Sequence, residues 1–156
     1  MIRAATEADV PLLLHFIREL SRYEKLEHDL DMDAGRLREH LFGPKATCGA
    51  FLAECDGRAV GFALHFAKFS TFKCRSFLHL EDLFVLPEYR GRGLGLALLR
   101  AVAAEAVRRD CPRLEWNVLD WNEPAIGFYR AHGADVLDDW SICRVTGAAL
   151  HQLAKP

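Results

Sequence analysis

Between Phe77 and Arg109 the hydrophobic pattern changes period once, across a run of glycines, and this switch restricts the fold more than any other feature of the chain. Phe77 to Leu86 reads as a strand closed by Pro87. Arg90-Gly91-Arg92-Gly93-Leu94-Gly95 follows. Gly95 to Arg109 then repeats apolar residues at helical spacing, with Leu98, Leu99, Val102 and Val107 available to pack on a sheet. Strand, glycine turn and helix in that order predict an α/β chain.

The remaining segments agree. Ile2 to Ala4 predicts a short first strand, and Thr6 with Asp9 three residues on predicts a capped helix start. Val10, Leu13, Leu14, Ile17 and Leu20 recur at helical spacing as far as Tyr23, and a second helix is expected over Asp33 to Leu41 before Gly43-Pro44. Ala50 to Glu54 and Ala59 to Phe66 read as strands joined through Asp56-Gly57, a strong hairpin signal. Arg113 to Leu119 predicts a further strand. Asn122 caps a helix with Pro124 in its first turn and Gly133 at its end. A last strand over Ser141 to Val145 and a short terminal helix complete one domain, 1–156, a mixed central β-sheet flanked by helices.

A formal net charge of −2 excludes a general electrostatic grip on nucleic acid. The amino terminus lacks the pattern of a secretion signal, and no apolar stretch is long enough for a membrane span, so a cytoplasmic location is expected. Five cysteines without C-x-x-C spacing, and seven histidines without an H-x-x-x-H pair, predict neither disulfides nor a metal site. Small buried thiols are the expectation for the cysteines.

Glycines opening a helix, flanked by Arg90 and Arg92, suit a pyrophosphate. No Lys-Ser or Lys-Thr follows, as a P-loop needs, and both dinucleotide registers fail because Leu96 or Leu98 occupies the last glycine position. What remains is Arg-x-x-Gly-x-Gly, met by Arg90, Gly93 and Gly95. Upstream stands Leu80-Glu81-Asp82-Leu83-Phe84-Val85, and downstream Trp121-Asn122-Glu123-Pro124-Ala125-Ile126-Gly127-Phe128-Tyr129. With these strings the chain resembles the GNAT superfamily of N-acetyltransferases, and within it the diamine (spermidine/spermine) acetyltransferases and their thialysine-acetylating relatives. The resemblance runs from Arg22-Tyr23-Glu24 to Val145.

A primary alkylamine has a pKa near about 10.4, so at pH 7 roughly one molecule in 2,500 is the neutral nucleophile, a cost of about 4.6 kcal/mol. A carboxylate beside the amine removes the proton directly or through water. Glu81 and Asp82 are adjacent carboxylates in an apolar strand, where strict alternation aims one at each face and sends at least one into a cleft. The resemblance implies that Glu81 is the base or the substrate anchor, with Asp82 nearby. It implies that Tyr129 is the general acid that protonates the departing coenzyme A thiolate, which its high phenolic pKa suits. It further implies acetyl-CoA as cosubstrate. The backbone of Leu83, Phe84 and Val85 would run along pantetheine, with Arg90, Gly91, Arg92, Gly93, Leu94, Gly95 and Leu96 at the pyrophosphate and Asn122, Glu123, Pro124 and Ala125 close to the coenzyme.

Tyr23, Glu24, Glu81, Asp82, Glu115 and Asn117 match positions that line the amine site of polyamine-acetylating relatives. The stretch between Tyr129 and Trp140 is shorter than in the animal diamine enzymes, so an acidic contact there does not carry over. A polyamine or diamine is the leading substrate expectation, and a lysine-like amino acid such as thialysine is the alternative. A coenzyme A sensor without turnover would need neither Glu81 nor Tyr129. Related enzymes are commonly dimers, and a homodimer is expected.

Overall fold

The structure, a computed structural model, describes all residues, 1–156. It forms two compact units, Met1–Asn117 and Val118–Pro156.

The first unit carries five strands, β1 (Ile2–Ala4), β2 (Cys48–Cys55), β3 (Arg58–Ser70), β4 (Arg75–Val85) and β5 (Leu114–Trp116), which lie in the sheet in chain order. The first four pair antiparallel, and β5 runs parallel to β4. Asp56 and Gly57 turn the β2–β3 hairpin with φ of 51° and 73°, the left-handed pair that an Asp-Gly turn supplies cheaply. Helices α1 (Val10–Glu24) and α2 (Ala34–Phe42) connect β1 to β2, and α3 (Leu94–Arg108) connects β4 to β5.

Capping fixes where these helices begin. Asp9 accepts hydrogen bonds from the Thr6 N–H and hydroxyl, each at 2.8 Å, on a short 3-10 turn that leads into α1. Arg3 grips both Asp9 oxygens at 2.7 and 2.8 Å and Glu54 at 2.6 Å, tying β1 to that turn and to β2. Asp33 accepts from the Arg36 N–H at 2.7 Å and starts α2.

One face of the sheet buries Leu13, Phe16 and Leu20 of α1 and Leu41 of α2 against Ala50, Leu52, Phe62, Leu64 and Phe84. The Phe16 and Phe62 rings stack at 5.9 Å, and cutting either to alanine would cost about 3–5 kcal/mol. Leu98, Leu99, Val102 and Ala106 are the buried residues of α3, which packs on β2, β3 and β4.

The second unit holds α4 (Glu123–Ala131) and α5 (Gly147–Leu153). Gly133, at φ 87°, follows the end of α4.

Two strand expectations change. The strand read over Arg113 to Leu119 is ladder-paired only at Leu114–Trp116. None forms over Ser141 to Val145, where Ile142 and Val145 are exposed; alternation makes a strand only where a neighbouring backbone completes the ladder. The cysteines also differ from expectation. Cys74 and Cys143 are exposed and the other three half-buried, because they sit at strand ends, in a turn and in loops rather than in the core.

Candidate active site

Opposite β4, Leu64 faces Asp82 and its neighbour His65 faces Leu80, so Glu81 is the extra residue of a β-bulge. The bulge overturns the expectation that Glu81 and Asp82 point to opposite faces. Directly opposed residues share a face, which puts Asp82 with Leu64, and His79 with Phe66, on the side of the sheet that carries Phe62 and Phe84. Glu81 turns to the same side: its Oε2 lies 3.6 Å from Nε2 of His79. The two carboxylates therefore stand together.

A third joins them from the end of α1. Burial pushes the Asp82 carboxyl up to about 7, and the charges of Glu81 and Glu24 add to the shift. Burial raises Glu24 as well. Such a cluster gains most from a cation, which relieves the mutual repulsion of the carboxylates. Tyr23, beside Glu24, holds the Arg90 guanidinium 4.7 Å over its ring.

His79 stands beside Glu81, and sequence reasoning did not single it out. Its side chain is buried beside Phe66, 5.1 Å between rings, and Nδ1 has no hydrogen-bond partner. Burial lowers its pKa, Lys68 lowers it further, and Glu81 and Glu115 pull the other way, so the imidazole is neutral at pH 7. Its position two residues before Glu81 was the available signal.

Glu115 already carries two cations of its own. It accepts hydrogen bonds from Lys68 at 3.3 Å and Arg113 at 2.9 Å. Burial pushes its carboxyl up, but those two hydrogen bonds outweigh the burial and hold it below the usual carboxylate range. Asn117 is exposed, just past β5.

The glycine loop lies at the other end of β4. Gly91 and Gly93 have φ of 72° and 76°, and open space surrounds the positions where a Cβ would stand. Glycine is needed there for the backbone conformation, not for room. Ala97 donates to the Gly93 carbonyl at 3.0 Å, so the N–H groups of Leu94, Gly95 and Leu96 precede the hydrogen-bonded ladder of α3. These N–H groups and the positive end of a 15-residue helix suit a diphosphate. Arg90 turns back, donating from Nε to the Val85 carbonyl at 2.9 Å and lying 5.6 Å over Phe84, so it fastens the loop to the strand end. Arg92 lies 5.2 Å over the Tyr89 ring. Leu83, Phe84 and Val85 pair with Ala63, Phe62 and Gly61 on one side, whereas the ladder with β5 stops at Leu80. The edge of β4 beyond the bulge is thus open toward β5.

In the second unit, Asn122 is buried and accepts from the Ala125 N–H at 3.4 Å, capping α4. Glu123, Pro124 and Ala125 form the first turn. Tyr129 is buried on the same helix, its ring edge-on to Phe128 at 5.3 Å.

Residues 14–134 match the profile of the Acetyltransferase (GNAT) family. The chain is 38% identical to a thialysine N-epsilon-acetyltransferase of Bos taurus, over 99% of this chain and 96% of that protein. It is 30% identical to an L-ornithine N5-acetyltransferase of Arabidopsis thaliana, over 99% of this chain and 87% of that one. Among solved structures, an integron cassette protein from the mobile metagenome of V. cholerae superposes with a TM-score of 0.80 at 28% identity, covering 100% of this chain and 98% of its own. GNAT enzymes use acetyl-CoA, and an open strand edge leading to a glycine-capped helix, with carboxylates clustered at a bulge, accords with that chemistry. The chain belongs to the GNAT acetyltransferase family and is an N-acetyltransferase acting on amines.

Proposed function

We propose that this enzyme transfers the acetyl group of acetyl-CoA to the terminal primary amine of a small molecule with a second charged end, either a polyamine or diamine or a lysine-like amino acid. The observation that carries this reading is the bulge at Glu81, which puts Glu81 and Asp82 on one side of β4 with Glu24 acting on Asp82.

An incoming ammonium is drawn to these carboxylates and loses its proton to Glu81, directly or through water, with Asp82 and Glu24 beside it. Tyr23 and Asn117 complete the amine surroundings. Acetyl-CoA supplies the activated acyl group as a thioester. The open edge of Leu83, Phe84 and Val85 would hold its pantetheine as an added strand would, and the N–H groups from Gly91 to Leu96 its pyrophosphate, with Arg92 alongside. Arg90 positions that loop through Val85. Asn122 to Ala125 serve the coenzyme, and the Tyr129 phenol gives its proton to the leaving thiolate.

The family match spans residues of both compact units, which supports a single catalytic domain over 1–156. A homodimer is supported by the apolar side chains that the second unit exposes, Leu137, Trp140 and Ile142 among them. Five unpaired cysteines support a reducing, cytoplasmic setting.

Mass-spectrometric detection of acetylated product from acetyl-CoA with spermidine, putrescine, thialysine and lysine tests the reading. Product that disappears in Glu81→Gln is the expected result. Product that persists at the wild-type rate in that variant would remove Glu81 from the site, and coenzyme A binding without any product would make the protein a sensor.

A further inference from the structure

The side of the sheet that carries the three carboxylates also carries a group of opposite charge. Lys68 lies opposite Phe77, and Glu115 lies opposite His79. Arg113, just before β5, precedes Glu115 by two residues, and its Nε donates to Glu115 on the same side. The Arg113 guanidinium rests 3.7 Å over the buried Phe77 ring, and Lys68 Nζ lies 5.8 Å from the same ring. Both cations hydrogen-bond the one carboxylate of Glu115. The group carries a net positive charge, and its side chains are 43%, 42% and 37% exposed for Lys68, Arg113 and Glu115, open to a small solute.

We propose that Lys68, Arg113 and Glu115 hold the α-carboxylate and α-ammonium of an amino-acid substrate, making this enzyme selective for the side-chain amine of a lysine-like α-amino acid over a polyamine. The proposal rests on the reading of Glu24, Glu81 and Asp82 as the site of the reacting amine.

The charges match in kind and order. An α-amino-acid head bears one anion and one cation on the same carbon; the two basic side chains take the carboxylate, and Glu115 takes the ammonium. Arg113 reaches Glu115 through Nε while its guanidinium lies over Phe77, and a guanidinium fork suits a second carboxylate. A polyamine would instead bring an ammonium against Lys68 and Arg113, a like-charge contact. The spacing also fits. Glu115 is level with His79, and two residues of strand from His79 to Glu81 span about 7 Å, on the order of an extended lysine-like side chain.

The test compares kcat/KM for two pairs that differ by the carboxylate alone, L-lysine with cadaverine and L-ornithine with putrescine, in the wild type and in Arg113→Gln and Glu115→Gln. The expected result is a wild-type preference for the amino acids of at least about tenfold, which falls by at least about tenfold in each variant through a higher KM for the amino acid. Arg113→Lys should recover part of the preference, a rescue that a merely structural role for the fork would not give. A wild type that prefers the diamines, or a preference unchanged in both variants, overturns the clamp and leaves amine acetylation standing. Absence of product from all four amines, with acetyl-CoA still bound, overturns the reading of the amine site and the clamp with it.

Discussion

Gly49 and His65 face each other across the β2–β3 ladder, and the imidazole occupies the space that a side chain on Gly49 would need. A Cβ there would lie 2.7 Å from Cε1 and 2.8 Å from Nε2 of a ring that is 2% exposed. Gly49→Ala should therefore cost about 1–3 kcal/mol, as other overpacked cores do. Denaturant titration would show it as a lower midpoint, and His65→Ala combined with Gly49→Ala should return part of the loss. Equal midpoints for Gly49→Ala and the wild type would contradict the geometry.

Asp82 predicts a pH dependence of stability. Its carboxyl is raised to about 7 in the folded protein, chiefly by burial, so between the ordinary carboxylate range and about pH 7 the folded state binds more protons than the unfolded one. Stability from this group is full below that window and falls as pH rises through it. Asp82→Asn removes the dependence while keeping the shape. Measured by urea unfolding, the variant should gain on the wild type from pH 5 to pH 8, and its acetylation rate should fall at least about tenfold if the carboxylate serves the amine.

Gly93 predicts a separation of binding from folding. An alanine forced to its φ of 76° costs about 1–2 kcal/mol. Gly57, at 73° in the β2–β3 turn, offers the matching control. Both alanine variants should lose similar stability. By calorimetry, only Gly93→Ala should weaken acetyl-CoA binding, roughly tenfold for each 1.4 kcal/mol transmitted to the site.

For Tyr129, the expectation is a fall in kcat of about 10²- to 10⁴-fold in Tyr129→Phe with little change in acetyl-CoA affinity. Pre-steady-state kinetics that show an unchanged chemical step would take the phenol out of the acid role.

The sheet and its helices were legible because apolar period, capping residues and turn residues agreed locally: Thr6 with Asp9 starts the turn into α1, Asn122 caps α4, and Asp56-Gly57 turns β2 into β3. The glycine loop was legible for the same reason. Illegible features depend on partners distant in the chain. Nothing in Leu80-Glu81-Asp82 announces a bulge, since the extra residue exists only against the register of Leu64 and His65. Glu115 reads as a free acid until Lys68, 47 residues away, is placed beside it. Ser141 to Val145 alternates well enough for a strand but has no ladder.

The sheet has a long middle and short ends. Strands β2, β3 and β4 follow one another through tight turns, whereas β1 and β5 have three residues each and are separated from the middle by helices. Contacts between residues close in the chain form soonest, so the three-stranded meander is expected to assemble first and the two flanking strands to dock later. The margin of β4 proposed as the coenzyme's berth is thus bounded by a piece of sheet held by few bonds. Amide protons of Leu114–Trp116 should exchange through low-energy local openings while those of Phe62 and Leu64 await global unfolding, an opening beside the proposed berth of the acyl donor that leaves the core intact.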